Sequence, residues 1–303
     1  MKKIFFIILL LAGTQSLTAQ QWGNATTSQV DPLGSQYFQN QYLGNPAMAG
    51  IDTGLHLNAA YRKQWRDEPG VPVTMAITAD YAAGKRVGVG LNVYNDKAGL
   101  LSNTRVAATY AYHLPLSSTG GQQLHFGLSV GFRSEFIDRK ALNGDASDPS
   151  IGRFNRRDNY FDADFGLAYT SHGLNLQAAL PNMIGYFKSD NKGQVNSSTF
   201  YSSASYRIGI GSQLTSIEPK VCFRGVRGFD NIIDLGANIV FLENTLNAFG
   251  MYHTSKNFTV GAGYNIFHTV GILVSYSSQT SGLSNYLSGN FAVGLKVDLF
   301  NKE

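Results

Sequence analysis

The residue types that most often carry catalysis or metal binding are present in this chain, but they do not form a recognisable catalytic pattern. The six histidines stand singly, and the chain has one cysteine. These residues are His56, His113, His125, His172, His253, His268 and Cys222. None stands at the short, regular spacing that a zinc site uses. The spacing G-x-S-x-G occurs once, at 127–131, but it lies inside a predicted strand and not at the strand-to-helix turn that a nucleophile elbow requires. No phosphate-binding G-x-x-x-x-G-K-[ST] loop occurs. The sequence therefore predicts no enzyme. An outer-membrane hydrolase, in particular, would need a Ser or His constellation that is not found in the sequence.

The segment 143–148 is the remaining candidate for cation binding. Its two carboxylates, Asp145 and Asp148, could ligate calcium. The segment lacks the twelve-residue ligand spacing of an EF-hand, and a solvated loop explains it more simply. We therefore predict neither a metal nor a cofactor.

The composition excludes several classes of protein. Charged residues make up 15% of the chain, whereas a soluble globular protein carries about a quarter. The mean hydropathy of -0.12 argues against a helical membrane protein. A formal charge of +4 is modest and predicts no nucleic-acid partner.

The N-terminus has the organisation of a secretory signal peptide. Lys2 and Lys3 precede the apolar run 4–12, and small and polar residues lead to a cleavage position after Ala19. The apolar run is too short to span a bilayer as a helix. We therefore predict a signal peptide at 1–19 and export of the remaining chain.

Beyond residue 53 the chain alternates apolar and small or polar residues with a period of two. The clearest examples are 73–81, 124–132 and 258–266, where every second residue is apolar. Such alternation is typical of β-strands that have one apolar face. The fourteen predicted strands are 54–65, 71–82, 86–95, 103–114, 122–136, 159–171, 173–180, 199–211, 215–226, 231–242, 245–254, 257–267, 269–278 and 289–300.

The pattern favours an all-β fold, a single transmembrane antiparallel β-barrel of about 14 strands. Most of the strands reach the 9–11 residues that a tilted strand needs to cross a membrane. Their polar faces would line a lumen, and closure would satisfy every backbone hydrogen bond within lipid. A soluble β-sandwich or propeller also alternates, but its surface would need more charge. We predict a signal peptide at 1–19, a periplasmic or plug segment at 20–53 and an outer-membrane barrel at 54–303.

The predicted connections differ in length between the two ends of the barrel. The long ones, 96–102, 137–158 and 181–198 among them, fall on one side, and short turns fall on the other. Outer-membrane barrels keep short turns in the periplasm, so we expect both termini to be periplasmic. Phe154 and Phe187 lie in the two longest connections, where they could contact a secreted or surface-attached partner.

A set of motifs before and within the first strands resembles the opening signature of the PorP/SprF family of Bacteroidetes outer-membrane proteins. The motifs before the first strand are Asp31-Pro32, Ser35-Gln36-Tyr37 and Asn45-Pro46-Ala47-Met48-Ala49-Gly50. The later ones are 61–65, 69–70, 95–99, 110–114, 164–166 and 180–182. The resemblance covers most of the chain beyond the signal peptide.

This resemblance implies a component or accessory of the type IX secretion system, associated in some members with gliding motility. Such proteins work with periplasmic ring and motor proteins or hold secreted adhesins at the surface. The expected partners are therefore those periplasmic proteins, a secreted or surface-attached cargo and outer-membrane lipid. The residues expected to meet periplasmic partners are Asp31, Pro32, Ser35, Gln36, Asn45, Pro46 and Gly50.

Two alternatives remain open at this point. Proline and glycine set turn geometry in any role, so the segment 31–50 could instead form a turn that caps or plugs the barrel. A passive outer-membrane porin is the alternative function, since a fourteen-strand barrel falls between small filled barrels and open porins.

Overall fold

The computed structural model of the chain describes residues 36–64, 70–117, 121–137, 160–184, 199–226, 231–267, 269–278 and 289–300. All of these ranges fall within one compact unit, 33–303. The predicted signal peptide at 1–19 lies outside the described residues.

The described chain is built almost entirely of β-strands. The fifteen strand segments are β1 (Leu55–Lys63), β2 (Val73–Gly84), β3 (Val87–Ala98), β4 (Leu101–Pro115), β5 (Gln122–Ile137), β6 (Tyr160–Ser171), β7 (Leu174–Leu180), β8 (Thr199–Tyr206), β9 (Ile208–Gly209), β10 (Leu214–Val226), β11 (Ile232–Phe241), β12 (Leu246–His253), β13 (Asn257–Ile266), β14 (Val270–Ser277) and β15 (Asn290–Leu299). Two single-turn 3-10 helices, Gln41–Leu43 and Pro46–Met48, precede β1. No helix among these residues is long and apolar enough to cross a membrane.

The strands close into one antiparallel barrel. Each strand pairs with its neighbours along the chain, and β1 pairs with β15 to complete the ring. Strands β8 and β9 both pair with β10 and occupy one position in the wall. The wall therefore has fourteen positions, which confirms the predicted all-β barrel.

The interruption between β8 and β9 has a local cause in the neighbouring strand. Lys220 of β10 pairs with Ser205, and the same register resumes with Ile217 opposite Ile208. Pro219 lies between the two paired positions of β10. Because proline has no backbone N–H, it cannot donate to the ladder, and the strand opposite is interrupted there.

The two faces of the wall have opposite chemistry, as the alternation predicts. In β2, Met75 and Ile77 point outward and are exposed, whereas Thr74 and Thr78 point inward and are buried. The same order holds in β5, where Leu128 is 46% exposed and Ser129 is 3% exposed. An outer belt of apolar side chains and a polar interior is the arrangement of a barrel surrounded by lipid.

Exposed aromatic side chains form a ring near each end of the barrel. The ring at the end with tight turns contains Tyr81, Tyr110, Phe126, Tyr206, Phe241, Tyr264, Phe267 and Phe300. The ring at the other end contains Tyr61, Phe132, Phe136, Phe161, Tyr252, Phe258 and Phe291. We call the barrel end with tight turns the short-turn end and the opposite end the long-connection end. Aromatic girdles of this kind mark the two membrane interfaces.

The predicted long connection at 96–102 is wrong. Strands β3 and β4 run on to Ala98 and from Leu101, so that only two residues join them. The Asn95 side chain donates to Thr104 Oγ1 at 2.7 Å, and Gly99 adopts the positive φ of +58° that a tight turn needs. Polar side chains that bond across two strands thus extend the hairpin beyond the apolar belt that the periodicity detects.

A substitution on the outer face tests the assigned orientation. Leu128 lies on β5 between the two girdles of aromatic residues, so Leu128→Arg should reduce the free energy of unfolding by about 2–4 kcal/mol. Leu116→Arg, on an exposed side chain at the short-turn end, should cost only about 0–1 kcal/mol near the interface. Urea titrations in lipid vesicles measure both values, and equal losses would contradict the assignment.

Candidate functional site in the barrel lumen

The lumen of the barrel is occupied by the chain's own residues 36–51, which we call the lumen segment. Tyr37 bonds to a side chain of β11, Asn40 to one of β2 and Asn45 to one of β7. These strands lie on different sides of the wall. The lumen segment is therefore held from several directions at once.

Two asparagine side chains start the two helical turns of the lumen segment. Asn40 Oδ1 accepts from the backbone N of Leu43 at 3.2 Å, and Asn45 Oδ1 accepts from that of Ala47 at 3.0 Å. Asparagine is a favoured N-cap because its side chain satisfies an otherwise free N–H. Pro46 follows as the first helical residue, where its missing N–H costs nothing.

The other half of the Asn45 side chain binds the wall. Its Nδ2 donates to the backbone oxygen of Leu167 on β6 at 3.0 Å and to Gln177 Oε1 on β7 at 3.3 Å. Asn45 is fully buried. One side chain thus both begins the local turn and fastens it to two strands.

Lumen-facing glycines allow the lumen segment to touch the wall backbone. A Cβ atom at Gly127 on β5 would lie 2.2 Å from the backbone N of Ala47. One at Gly166 on β6 would lie 2.0 Å from Asn45 Oδ1. Real Cβ atoms do not come so close, so the segment can occupy this position only because both residues are glycine.

The end of the motif uses two further glycines. Gly50 has a φ of +64°, and its backbone N donates to Asp80 Oδ2 at 2.9 Å. A Cβ atom on Gly50 would lie 2.6 Å from the oxygen of Tyr81, and one on Gly88 would lie 1.9 Å from the oxygen of Ala49. Glycine is required here both for the backbone angle and for the close approach.

Two histidines connect the lumen segment to the wall in a chain of hydrogen bonds. His113 Nε2 lies 3.1 Å from the oxygen of Ala49, which can only accept. If His113 is neutral, its Nδ1 accepts from His125 Nδ1 at 2.8 Å, and His125 Nε2 in turn accepts from Thr170 Oγ1 at 2.9 Å. Both rings are neutral in this arrangement, because a second proton on either ring would replace a needed acceptor.

The first residues of the lumen segment are held by charged side chains of the opposite wall. The Tyr37 hydroxyl donates to Asp234 Oδ2 at 2.6 Å, and Arg224 donates to both oxygens of the same carboxylate at 2.8 and 2.9 Å. Lys220 Nζ donates to the backbone oxygen of Tyr37 at 2.7 Å and lies 5.0 Å from the centre of the Phe38 ring. Buried charges of this kind need partners. The lumen segment supplies the Tyr37 hydroxyl to Asp234 and the Tyr37 backbone oxygen to Lys220.

The same carboxylate also belongs to a grouping that sequence reasoning missed. His253 Nδ1 lies 2.6 Å from Asp234 Oδ1, and His253 Nε2 lies 2.9 Å from Thr259 Oγ1. Carboxylate, imidazole and hydroxyl follow one another as they do in acyl-transfer triads. All three residues are fully buried, so the hydroxyl is closed to any substrate in this structure. Only the pairing of β11 with β12, which sets Asp234 opposite His253, could have signalled it.

Apolar contacts also hold the lumen segment. Tyr37 packs in a cluster whose other buried members are Ala179, Tyr201, Cys222, Phe249, Met251 and Leu273. A second cluster joins Tyr42, Ala47, Met48 and Ala49 to Ala111 and Ala168. The Tyr42 hydroxyl bonds to Thr109 Oγ1 at 2.7 Å, and burial raises the pKa of Tyr42 above its usual value. The phenol therefore stays neutral and available for hydrogen bonding.

Toward the long-connection end, the lumen wall carries a network of ion pairs. Arg105 donates to Asp162 at 3.1 Å and to Asp164 at 2.7 Å, and Arg133 donates to Asp162 at 3.3 Å. Asp164 also accepts from the backbone N of Asn182 at 2.9 Å. The motifs 164–166 and 180–182, distant in the sequence, thus meet at one carboxylate.

The structure describes four of the residues predicted to contact partners. Gln36, Asn45, Pro46 and Gly50 are all buried within the barrel. The other predicted residues, Asp31, Pro32, Ser35, Phe154 and Phe187, lie outside the described residues, as does the calcium candidate 143–148. In the part of the chain that the structure describes, no group of three or more His, Cys, Asp or Glu residues is placed to hold a metal ion.

The closed wall, the lipid-facing apolar belt and the two girdles of aromatic residues define an outer-membrane β-barrel. Solved barrels of that class resemble it. The CymD monoaromatic hydrocarbon channel matches with a TM-score of 0.50 and 11% identity, over 88% of this chain and 94% of that one. Omp33 of Acinetobacter baumannii matches with a TM-score of 0.48 and 10% identity, over 82% of this chain and 100% of that one. At 11% identity, the CymD match indicates a shared fold alone. No match was found among curated protein sequences.

The family is settled by the sequence match. Residues 26–297 match the family described as type IX secretion system membrane protein PorP/SprF. The chain therefore belongs to the PorP/SprF family, and it is an outer-membrane component of type IX secretion. The resemblance that the motifs indicated is confirmed.

A single added methyl group tests the close approach of the lumen segment. Gly166→Ala would place a Cβ atom 2.0 Å from Asn45 Oδ1, so it should destabilise the barrel by about 1–3 kcal/mol through overpacking. It should also speed cleavage of residues 36–51 in limited proteolysis. Gly250→Ala is the matched control, because a Cβ atom there has no atom within 4 Å. Equal effects of the two substitutions would contradict the assigned contact.

Proposed function

We propose that this protein is a closed, non-enzymatic scaffold of the outer membrane that supports type IX secretion or holds secreted cargo at the cell surface. The observation that carries the proposal is the occupied lumen. A barrel whose interior is filled by residues 36–51 offers a rigid platform rather than a water channel. The family supplies the secretion system in which such a platform works.

The orientation in the membrane is part of the proposal. We assign the short-turn end to the periplasm, because outer-membrane barrels keep their short turns there. Both termini would then be periplasmic, since β1 begins and β15 ends at the short-turn end. The connections 138–159 and 181–198 would face the outside, and Phe154 and Phe187 within them would contact cargo.

The predicted partner residues divide into two groups under this proposal. Asp31, Pro32 and Ser35 precede the lumen segment and would meet periplasmic ring and motor-associated proteins. Gln36, Asn45, Pro46 and Gly50 would act by closing the lumen, because each is buried against the wall. Under this proposal the lumen segment makes the scaffold rigid, and the residues that precede it contact the periplasmic partners.

Conductance distinguishes the scaffold from a passive porin. We expect the intact protein to show little ion conductance in planar bilayers. Gly127→Val should raise conductance severalfold, because its side chain would collide with the backbone of Pro46 and Ala47 and displace the lumen segment. Gly250→Val, with no atom within 4 Å of the added Cβ atom, should remain closed. High conductance of the intact protein would favour the porin.

Labelling of intact cells tests the orientation. Cys222 is buried, so it should not react with an impermeant thiol reagent. A cysteine introduced at Ser147, within the connection 138–159, should be labelled, whereas one at Ser212 in the turn before β10 should be protected. The reverse result would invert the assigned orientation.

Deletion of the whole protein tests its role in secretion. We expect a deletion strain to lose surface display of one or more type IX cargo proteins while small-solute uptake is unchanged. Reintroduced Gly250→Val protein should restore display, and reintroduced Gly127→Val protein should not. Normal display of every cargo together with lost solute uptake would overturn the scaffold in favour of the porin.

A further inference from the structure

A polar cavity of about 570 Å³ lies at the short-turn end, between the lumen segment and the wall. Its lining includes Asp80, His56 and Asn58 from β1 and β2 and Gln39 from the lumen segment. Small-ligand sites in proteins span about 300–1,000 Å³. The cavity is therefore large enough for a ligand, although its lining also holds the lumen segment, through Asp80 to Gly50 and Asn175 to Gln41.

Strand register arranges the ionisable side chains of this wall. His56 lies opposite Asp298 of β15 on one side and Asp80 of β2 on the other. Asn58, two residues further along β1, lies on the same face and opposite Lys296. Five inward-facing polar side chains thus meet on three adjacent strands.

One carboxylate of this group is fully engaged. Asp298 Oδ1 lies 2.7 Å from His56 Nδ1, and Asp298 Oδ2 lies 3.0 Å from Lys296 Nζ. A carboxylate accepts, so His56 Nδ1 carries a proton, and in the neutral form of the ring Nε2 is an acceptor. The positive charge of Lys296 is directed to Asp298.

The other polar atoms of the wall lack partners. His56 Nε2 and Asn58 Oδ1 are buried and form no hydrogen bond, and Gln39 Oε1 is in the same condition. Both His56 and Asn58 are more than nine-tenths buried. Asp80 is 6% exposed, and among the described residues its carboxylate accepts one hydrogen bond, from Gly50, and forms no ion pair. With the His56 ring neutral, this part of the lumen therefore presents acceptors without partners, and its two carboxylates, Asp80 and Asp298, lie beside one cation, Lys296.

The remaining charges near the cavity do not supply the missing cation. Arg207 Nη2 lies 3.2 Å from Glu218 Oε2, and Lys220 Nζ is bound to the oxygen of Tyr37. Asp52, which also lines the cavity, adds another carboxylate. The nearby cations are thus directed to other acceptors.

We propose that this cavity binds a primary ammonium group, whose N–H groups are donated to Asp80, His56 Nε2 and Asn58 Oδ1. An ammonium provides three donors and one positive charge, which matches three acceptor groups of which one is anionic. Burial of unpaired acceptors and of an unpaired carboxylate is costly, and this ligand removes both costs. A water molecule could satisfy the acceptors but would leave the charge of Asp80 unbalanced.

The ammonium could belong to a lysine side chain of a peptide or to a free alkyl amine. Both share the chemistry that the cavity recognises, and the experiment below separates them. The site goes beyond the scaffold function and does not rest on it, because binding is measured on the purified protein without any secretion partner.

Calorimetry on the full chain in detergent micelles tests the site with three probes. The probes are the free diamine cadaverine, the blocked tripeptide alanyl-lysyl-alanine amide and the same tripeptide with an acetylated lysine. We expect saturable binding of the unmodified tripeptide and none of the acetylated one, since acetylation removes the charge and two donors. Binding of cadaverine as well would identify the free amine as sufficient, whereas binding of the tripeptide alone would require a peptide source.

Two variants locate the binding at the named residues. Asp80→Asn keeps an oxygen for the N–H of Gly50 but removes the charge, so it should weaken binding about 30-fold or more. Asp164→Asn, at a lumen carboxylate toward the long-connection end, should bind as the unaltered protein does. Retention of the folded barrel is checked by its resistance to unfolding in unheated detergent gels.

A spectroscopic signal keeps the proposal testable if Asp80→Asn does not fold. In the unaltered protein, the ¹⁵N resonance of His56 Nε2, assigned by its loss in His56→Gln, should shift when the unmodified tripeptide or cadaverine is added. The proposal fails if neither amine binds, if the acetylated tripeptide binds equally well, or if the His56 resonance does not move at saturation.

Discussion

The structure depends on one close contact, the approach of the backbone of residues 45–50 to the backbone of the barrel wall. Gly88, Gly127 and Gly166 leave no side chain in the way, so the lumen segment lies against β3, β5 and β6 at backbone distance. That approach brings Asn45 to Leu167 and Gln177, and it brings the oxygen of Ala49 to His113. A buried backbone must find partners for its polar groups, and here the wall provides them. The glycines of the wall and the turn residues of the lumen segment are therefore two halves of one interaction.

The interior is filled unevenly, and this unevenness positions the lumen segment. Strands β3 to β6 present small inward side chains, including Ala111 and Ala168, whereas β8, β12 and β14 present large ones such as Tyr201, Phe249 and Leu273. The backbone of the lumen segment lies against the strands with small side chains, and Tyr37 packs against the large side chains on the other strands. Close packing on both sides holds the lumen segment against the wall.

Two buried carboxylates of the lumen illustrate how differently the fold treats charge. Asp234 receives hydrogen bonds from Tyr37 and Arg224 and contacts His253, so its charge is balanced and its oxygens are saturated. Asp80 receives one bond from Gly50 and lies beside the unpaired acceptors of His56 and Asn58. Buried ionic groups are stable when their partners are complete. The first carboxylate therefore fastens the lumen segment, and the second is where a cationic ligand has a physical reason to bind.

The sequence by itself determined the strands, their faces and the family, because each depends on local pattern. Alternation with a period of two placed Leu128 outside and Ser129 inside, and the motif 45–50 marked the family. The periodicity failed at 96–102, where polar side chains rather than apolar ones extend the β3–β4 hairpin. The tertiary structure decided what occupies the lumen, which histidines meet and which carboxylates are paired. These groupings join residues far apart in the chain, such as Tyr37 with Asp234, and they exist only once the barrel has closed. Closure fixes which inward-facing side chains share a height and a side, and no local pattern carries that information.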